Sequence, residues 1–151
     1  MLIPSARSIL LCFVFLNAVS AQSTLTLSPG SATPGGSATL NLSLSSPAGG
    51  APAALQWTFS YPAANVANIN VVPGASATAA GKSIACTAGA AAYTCIAYGI
   101  NSKVIANGVV AVVTAGLTST AGTTPVGVSN AVGASLAGKG VTVTASGGTI
   151  N

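Results

Sequence analysis

The chain of 151 residues contains no aspartate, no glutamate and no histidine, and its four basic residues leave a formal net charge of +4. That inventory lacks the groups on which general acid–base catalysis and glycoside hydrolysis ordinarily run, and it lacks the clustered Lys and Arg of a nucleic-acid footprint. Half of the residues are apolar, enough to fill the core of one domain of this length.

The first stretch, "MLIPSARSILLCFVFLNAVSAQS", carries a basic residue at Arg7, an apolar run from Ile9 to Leu16, and small residues at Val19 and Ala21. This is the pattern of a secretory signal peptide over residues 1–21, cleaved after Ala21. The expected destination is secreted, either extracellular or periplasmic. The apolar run is shorter than the roughly 20 residues a spanning helix needs, so no membrane span is expected after cleavage; an uncleaved anchor is the alternative reading of the same run. Cys12 follows Leu11, where a lipid-modified cysteine wants a small neighbour. A small transmembrane barrel would need aromatic girdles at both ends of its strands, which three tyrosines do not supply.

Residues 22–151 read as short alternating runs separated by Gly, Pro and Ser, the signature of an all-β sandwich or barrel. "STLTLSPG" predicts a strand around Thr24 to Leu27. "GSATLNLSLSSPAGG" predicts a second, with Leu40, Leu42 and Leu44 on one face and Thr39, Asn41 and Ser43 on the other.

The third strand runs from about Ala54 to Tyr61. Leu55, Trp57, Phe59 and Tyr61 occupy one face, and Gln56, Thr58 and Ser60 the other. Four large side chains in one row would make a generous exposed patch for a soluble monomer, so the aromatic row is expected inside, against a second sheet. Further strands are expected at "NVANINVVPG", "GKSIACT", "AYTCIAYG", "NGVVAVVTAG", "TTPVGVSNAVGAS" and "GVTVTASGGTI", about nine in all. The continuous run "VVAVV" predicts a central strand covered on both sides. No segment has helical period, and no repeat of 20 to 50 residues marks a propeller or solenoid.

Cys86 and Cys95 flank the Gly/Ala-rich turn of "ACTAGAAAYTC", as the arms of a hairpin would. In an exported domain such a pair is expected to bridge. The alternative is metal ligation, but two thiolates with no His or carboxylate leave a zinc site half empty; no metal and no cofactor are expected. Lys82 beside Ser83 is the one formal nucleophile–base pair, and neighbours in a strand point to opposite faces. The chain is therefore not expected to be an enzyme.

Recognition must then rest on neutral hydrogen bonds and stacking. The candidate ligand-binding residues are Gln56, Thr58 and Ser60 from the outward row, with Tyr98 and Asn101 from "AYGINSK". A tyrosine ring can stack on an apolar surface while its hydroxyl hydrogen-bonds, although Tyr93 and Tyr98 also read as ordinary half-buried strand tyrosines. A structural, self-assembling role is the other reading, because few charges guard the strand edges and "TLTL" and "VTVT" make flat Thr-rich faces.

The succession of "LQWTFSYP", a valine-bearing strand, "YGINSKVIANGVVAVVT" and "GTTPVGVSNAVGASLAGKGVTVTASGGTI" resembles the cohesin family and its carbohydrate-binding-module relatives, from about Thr24 to Ile150. The resemblance implies a noncatalytic two-sheet β-sandwich with jelly-roll (cohesin/Ig-like) topology, working outside the cytoplasm in polysaccharide degradation. It implies as partner a polysaccharide or a dockerin-like protein module. Cohesin faces that recognise dockerins commonly use acidic and amide side chains, and this sequence offers only the amides.

Overall fold

The computed structural model describes residues 22–151; the expected signal peptide, with Arg7 and Cys12, lies outside the described residues. In chain order the elements are β1 (Ser23–Leu27), β2 (Ser37–Ser45), β3 (Ala54–Ser60), β4 (Val66–Pro73), α1 (Ala75–Ala79), β5 (Ser83–Gly89), β6 (Ala92–Tyr98), β7 (Gly108–Leu117), β8 (Thr124–Ala134), β9 (Gly140–Ser146) and β10 (Gly148–Ile150).

The strands form two layers that share β9. Along one layer the order is β4-β7-β2-β1-β9, and along the other β9-β8-β3-β6-β5, with β10 added to the start of β8. The first half of β9 pairs antiparallel with β8 through Thr142 opposite Val132, and its second half pairs parallel with β1 through Val143 opposite Ser23. One side of the sandwich is thereby closed by a strand that changes sheet. On the other side β4 and β5 are edges.

Between the layers the alternation seen in the sequence becomes the core. Leu25 and Leu27 of β1 and Leu40, Leu42 and Leu44 of β2 face Leu55, Trp57 and Phe59 of β3, and all are buried. Trp57 and Phe59 have no exposed surface and meet edge to face, with ring centroids 6.2 Å apart and planes at 77°, an arrangement that sets a ring edge against a π-face. Tyr61, just past the end of β3, is half-buried against the same cluster.

Three features differ from the reading of the sequence. The last run, "GVTVTASGGTI", is two strands, so the described residues form ten strands and not about nine. The break falls at Gly147 and Gly148, where an added Cβ would meet the carbonyl oxygens of Val126 and Ser28 at 2.3 and 2.4 Å; only glycine lets these backbones cross so closely. Second, Ala75–Ala79 forms a short helix whose Ala77 is buried against the core.

Third, β7 lies inside its sheet, between β4 and β2, but it is not covered on both sides. Val109, Val112 and Thr114 remain part-exposed. The apolar run instead accommodates a bulge: Ala111 stands opposite Leu42 and Val109 opposite Ser43, leaving Val110 as the extra residue. Val110 and Ala111 are consequently both buried, which strict alternation would forbid.

Candidate functional site

With the aromatic row facing inward, the other face of β8, β3, β6 and β5 is left to solvent. Register fixes its rows. Val132, Gln56, Ile96 and Ala85 form one; Ser129, Thr58, Thr94 and Thr87 form the next; Gly127, Ser60, Ala92 and Gly89 form a third. Three of the four expected contact residues from β3 and β6, Gln56, Ser60 and Tyr98, are exposed, and Thr58 is half-buried. Thr58 and Thr94 share a hydrogen bond between their Oγ1 atoms at 3.0 Å, which fixes both hydroxyls across the strand pair.

Beside the expected Tyr98, the face carries two exposed aliphatic residues. Ile96 is 41% exposed, Tyr98 46% and Val132 53%. Ile96 and Val132 stand on either side of a depression of about 170 Å³ whose lining includes Ala54, Gln56 and Ala134. No charged side chain stands on these rows. A flat, neutral surface with an aliphatic-walled dent suits an apolar anchor from a partner better than an ionic contact.

Ile96 was legible, since it shares parity with Thr94 and Tyr98 and adjoins the inward Cys95. Val132 was not. Val126, Val128 and Val132 are all even-numbered, and simple alternation would bury the three together. Between Gln56 and Thr58 the register of β3 on β8 shifts, and Asn130 adopts φ +50°. Two residues of β8 then oppose Trp57 alone, which reverses parity and turns Val132 outward while Val126 and Val128 stay buried.

Asn101 lies beyond the end of β6, and its amide is engaged within the chain. Its Oδ1 accepts from Lys82 Nζ at 2.8 Å and from the backbone N–H of Lys103 at 3.0 Å. Its Nδ2 donates to the carbonyls of Ala80 at 3.2 Å and Gly81 at 3.1 Å. Both the oxygen and the nitrogen of the amide have partners within the chain, so the side chain orders the loop. Lys82 itself is buried at 4% exposure, whereas Ser83 is exposed; the two do not form a catalytic pair.

Among the described residues there is no group of three or more Cys, His, Asp or Glu side chains placed to hold a metal ion. The two cysteines of β5 and β6 are bonded to each other, Cys86 to Cys95, with Cα atoms 4.1 Å apart. A larger hollow of about 390 Å³ lies between α1 and the segment from Ser102 to Ala106 and contains none of the expected contact residues. No helix of the described residues is long and apolar enough to cross a membrane.

No protein-family model matches the sequence, and no curated protein sequence is significantly similar to it. Solved structures are. The chain superposes on the sixth cohesin of scaffoldin B from Acetivibrio cellulolyticus, solved in complex with a dockerin, with TM-score 0.74 at 17% identity, covering 86% of this chain and 98% of that one. A non-cellulosomal cohesin from the archaeon Archaeoglobus fulgidus gives 0.69 at 14% identity, over 86% and 90%. A cohesin from a type I cohesin–dockerin complex of Clostridium thermocellum gives 0.73 at 11% identity, over 86% and 98%. The two-layer β arrangement described above is therefore a cohesin-like β-sandwich, as the order of sequence motifs implied.

Proposed function

We propose that this cohesin-like chain is a noncatalytic recognition module, exported by its N-terminal segment, that docks a dockerin-like protein module on the outer face of β8, β3, β6 and β5. The observation that carries the reading is exposed Ile96 and Val132 walling a dent on an uncharged sheet face, with exposed Tyr98 on the same face of β6. Contiguous apolar surface of this kind on a small domain marks an interaction site. The class of partner is supported by the similar structures, several of which are cohesins bound to dockerins.

Each residue has a distinct part. Ile96 and Val132 wall the dent and take an aliphatic side chain of the partner. Gln56, between them in the row, offers an amide donor and acceptor, and Ser60 adds a hydroxyl farther along β3. Tyr98, two residues beyond Ile96 on the same face of β6, supplies an amphipathic ring. With no charged side chain on these rows, the face suits a neutral contact surface on the partner and affinity varies little with salt, because few charges are there to be screened. Export is supported by the signal-like pattern of residues 1–21 and by a disulfide of the kind that persists in oxidising compartments.

The test is calorimetric titration of the mature chain against a panel of dockerin modules and soluble polysaccharides. Binding of at least one dockerin is expected, weakened more than about tenfold by Ile96→Asp and by Val132→Asp and unchanged by Thr39→Asp on the opposite face. Affinity for a polysaccharide alone, lost on Tyr98→Ala and untouched by Val132→Asp, would replace the protein partner with a glycan.

A further inference from the structure

The sandwich is closed on one side by β9 and open on the other, and its two edge strands are not alike. Natural sheets blunt their edges with proline, bulges or charge, because a row of unpaired backbone groups invites another chain. β4 is blunted: its pairing with β7 is broken by a bulge between Val66 and Asn68, and it ends in Pro73. β5, "SIACTAG", has no proline, no bulge against β6 and no charged residue.

Which of its backbone groups are unpaired follows from register. Tyr61 N–H donates to the Ala91 carbonyl at 3.1 Å, so in the β3–β6 ladder the pairs in step with it, Phe59 with Tyr93 and Trp57 with Cys95, exchange hydrogen bonds. The backbone groups of Tyr93, Cys95 and Ala97 point toward β3 and away from β5. Their partners across the other ladder, Ala88, Cys86 and Ile84, therefore form non-hydrogen-bonded pairs, and the 4.1 Å Cα separation of Cys86 and Cys95 fits that class. The N–H and C=O groups of Ile84, Cys86 and Ala88 point outward from the free edge. Among the described residues no backbone hydrogen bond outside the sheet ladders reaches them.

We propose that a second copy of this chain pairs antiparallel on this edge, β5 to β5, about a two-fold axis through Cys86. The edge is self-complementary: with Cys86 opposite its own copy, Ile84 falls opposite Ala88 and Ala88 opposite Ile84, so all the outward donors meet outward acceptors. Side chains do not oppose it. Ala85 meets Thr87 on the outer face, and buried Lys82 falls opposite the second copy's Ala90, so no like charges meet. Such an isologous contact closes on itself as a dimer. It joins two β9-β8-β3-β6-β5 layers into one sheet and sets two docking faces side by side, giving a bivalent receptor. The inference stands on the backbone of β5 and holds whether or not the docking face binds the partner proposed above.

The test is the mass of the mature chain by analytical ultracentrifugation from about 1 μM to 1 mM, the range of weak association, with hydrogen exchange at both ends. The expected result is a rise from monomer to dimer, together with protection of the Ile84, Cys86 and Ala88 amides that appears only in the dimer. Thr87→Lys brings two cations together near the axis, and Ala88→Pro deletes an outward N–H at an edge position that tolerates proline. Each is expected to stay monomeric with unchanged circular dichroism and an intact disulfide. Should one variant fail to fold, the other decides. A wild-type chain that remains monomeric throughout, or a dimer that survives in the folded variant, overturns the proposal.

Discussion

Lys82 buries its ammonium against the amide of Asn101, with Nζ 2.8 Å from Oδ1, in a chain that has no carboxylate side chain to offer it. The same amide ties the Ala80 and Gly81 carbonyls and the Lys103 N–H, so one asparagine joins the turn before β5 to the loop after β6. Asn101→Ala leaves a buried cation without its acceptor and is expected to cost about 2–3 kcal/mol. Lys82→Met in that background should recover most of the loss, since removing both partners of a buried polar pair is far cheaper than removing one. Chemical denaturation of the two single variants and the double variant measures the coupling; additive losses would show that Asn101 acts on the loop alone.

A second prediction concerns the centre of the core. Trp57 is fully buried, and among the described residues its Nε1 is the buried side-chain polar atom without a hydrogen-bond partner. Its indole is thus held for volume and for the edge contact with Phe59 rather than for its N–H. Trp57→Ala is expected to cost about 3–5 kcal/mol as a large truncation. Trp57→Phe opens a small cavity but removes an unsatisfied donor worth about 1–3 kcal/mol, and the two effects offset to within about 1 kcal/mol. Urea titration distinguishes the cases, and a Phe variant as damaged as the Ala variant would show that the donor is satisfied in solution.

The contrast between what the sequence disclosed and what it concealed has a physical pattern. β2 and β3 were legible because each packs one face on the core, so that Leu40, Leu42 and Leu44, or Leu55, Trp57 and Phe59, recur with period two. What alternation cannot carry is a change of parity or a distant partner. The bulges at Val110 and Asn130 are set by the neighbouring strand, and the second of them exposes Val132, half of the docking dent. The β9–β10 break depends on Gly147 and Gly148 meeting backbone more than 20 residues away in sequence. α1 is five residues long, too short to show a period, and Asn101 read as a free contact residue because its partner Lys82 lies 19 positions earlier. The candidate face was legible as a row of β3 with Tyr98 and Ile96 of β6 beside it; Val132, turned outward by the bulge in β8, was not.

The bridge between Cys86 and Cys95 joins directly opposed residues of β5 and β6. Among the described residues β5 pairs with no strand but β6, so the bridge is its covalent tether to the sheet. Purified protein should show no free thiol until it is reduced. The double substitution of both cysteines by alanine should lower stability by roughly 2.5–3 kcal/mol on the chain-entropy account of so short a loop, with fast amide exchange along β5 as the local signature. Labelling of Cys86 by a thiol reagent in unreduced material would refute the bridge.

Stability should also be almost indifferent to acid. The slope of unfolding free energy against pH equals the difference in protons bound by the unfolded and folded chains, and the side chains that ordinarily titrate between about pH 3 and 8, Asp, Glu and His, are absent. Only the chain termini remain, so both states bind the same protons to within those two groups and the slope is near zero. Scanning calorimetry at pH 3, 5 and 8 is expected to give Tm values within about 3 °C of one another, for a domain in which 1 kcal/mol shifts Tm by about 4 °C. A protein with carboxylates paired in the fold would instead lose stability as they protonate below about pH 4. If Tm fell by about 10 °C between pH 5 and pH 3, some group other than the side chains in this sequence, such as a covalent modification bearing an acid, would have to be present.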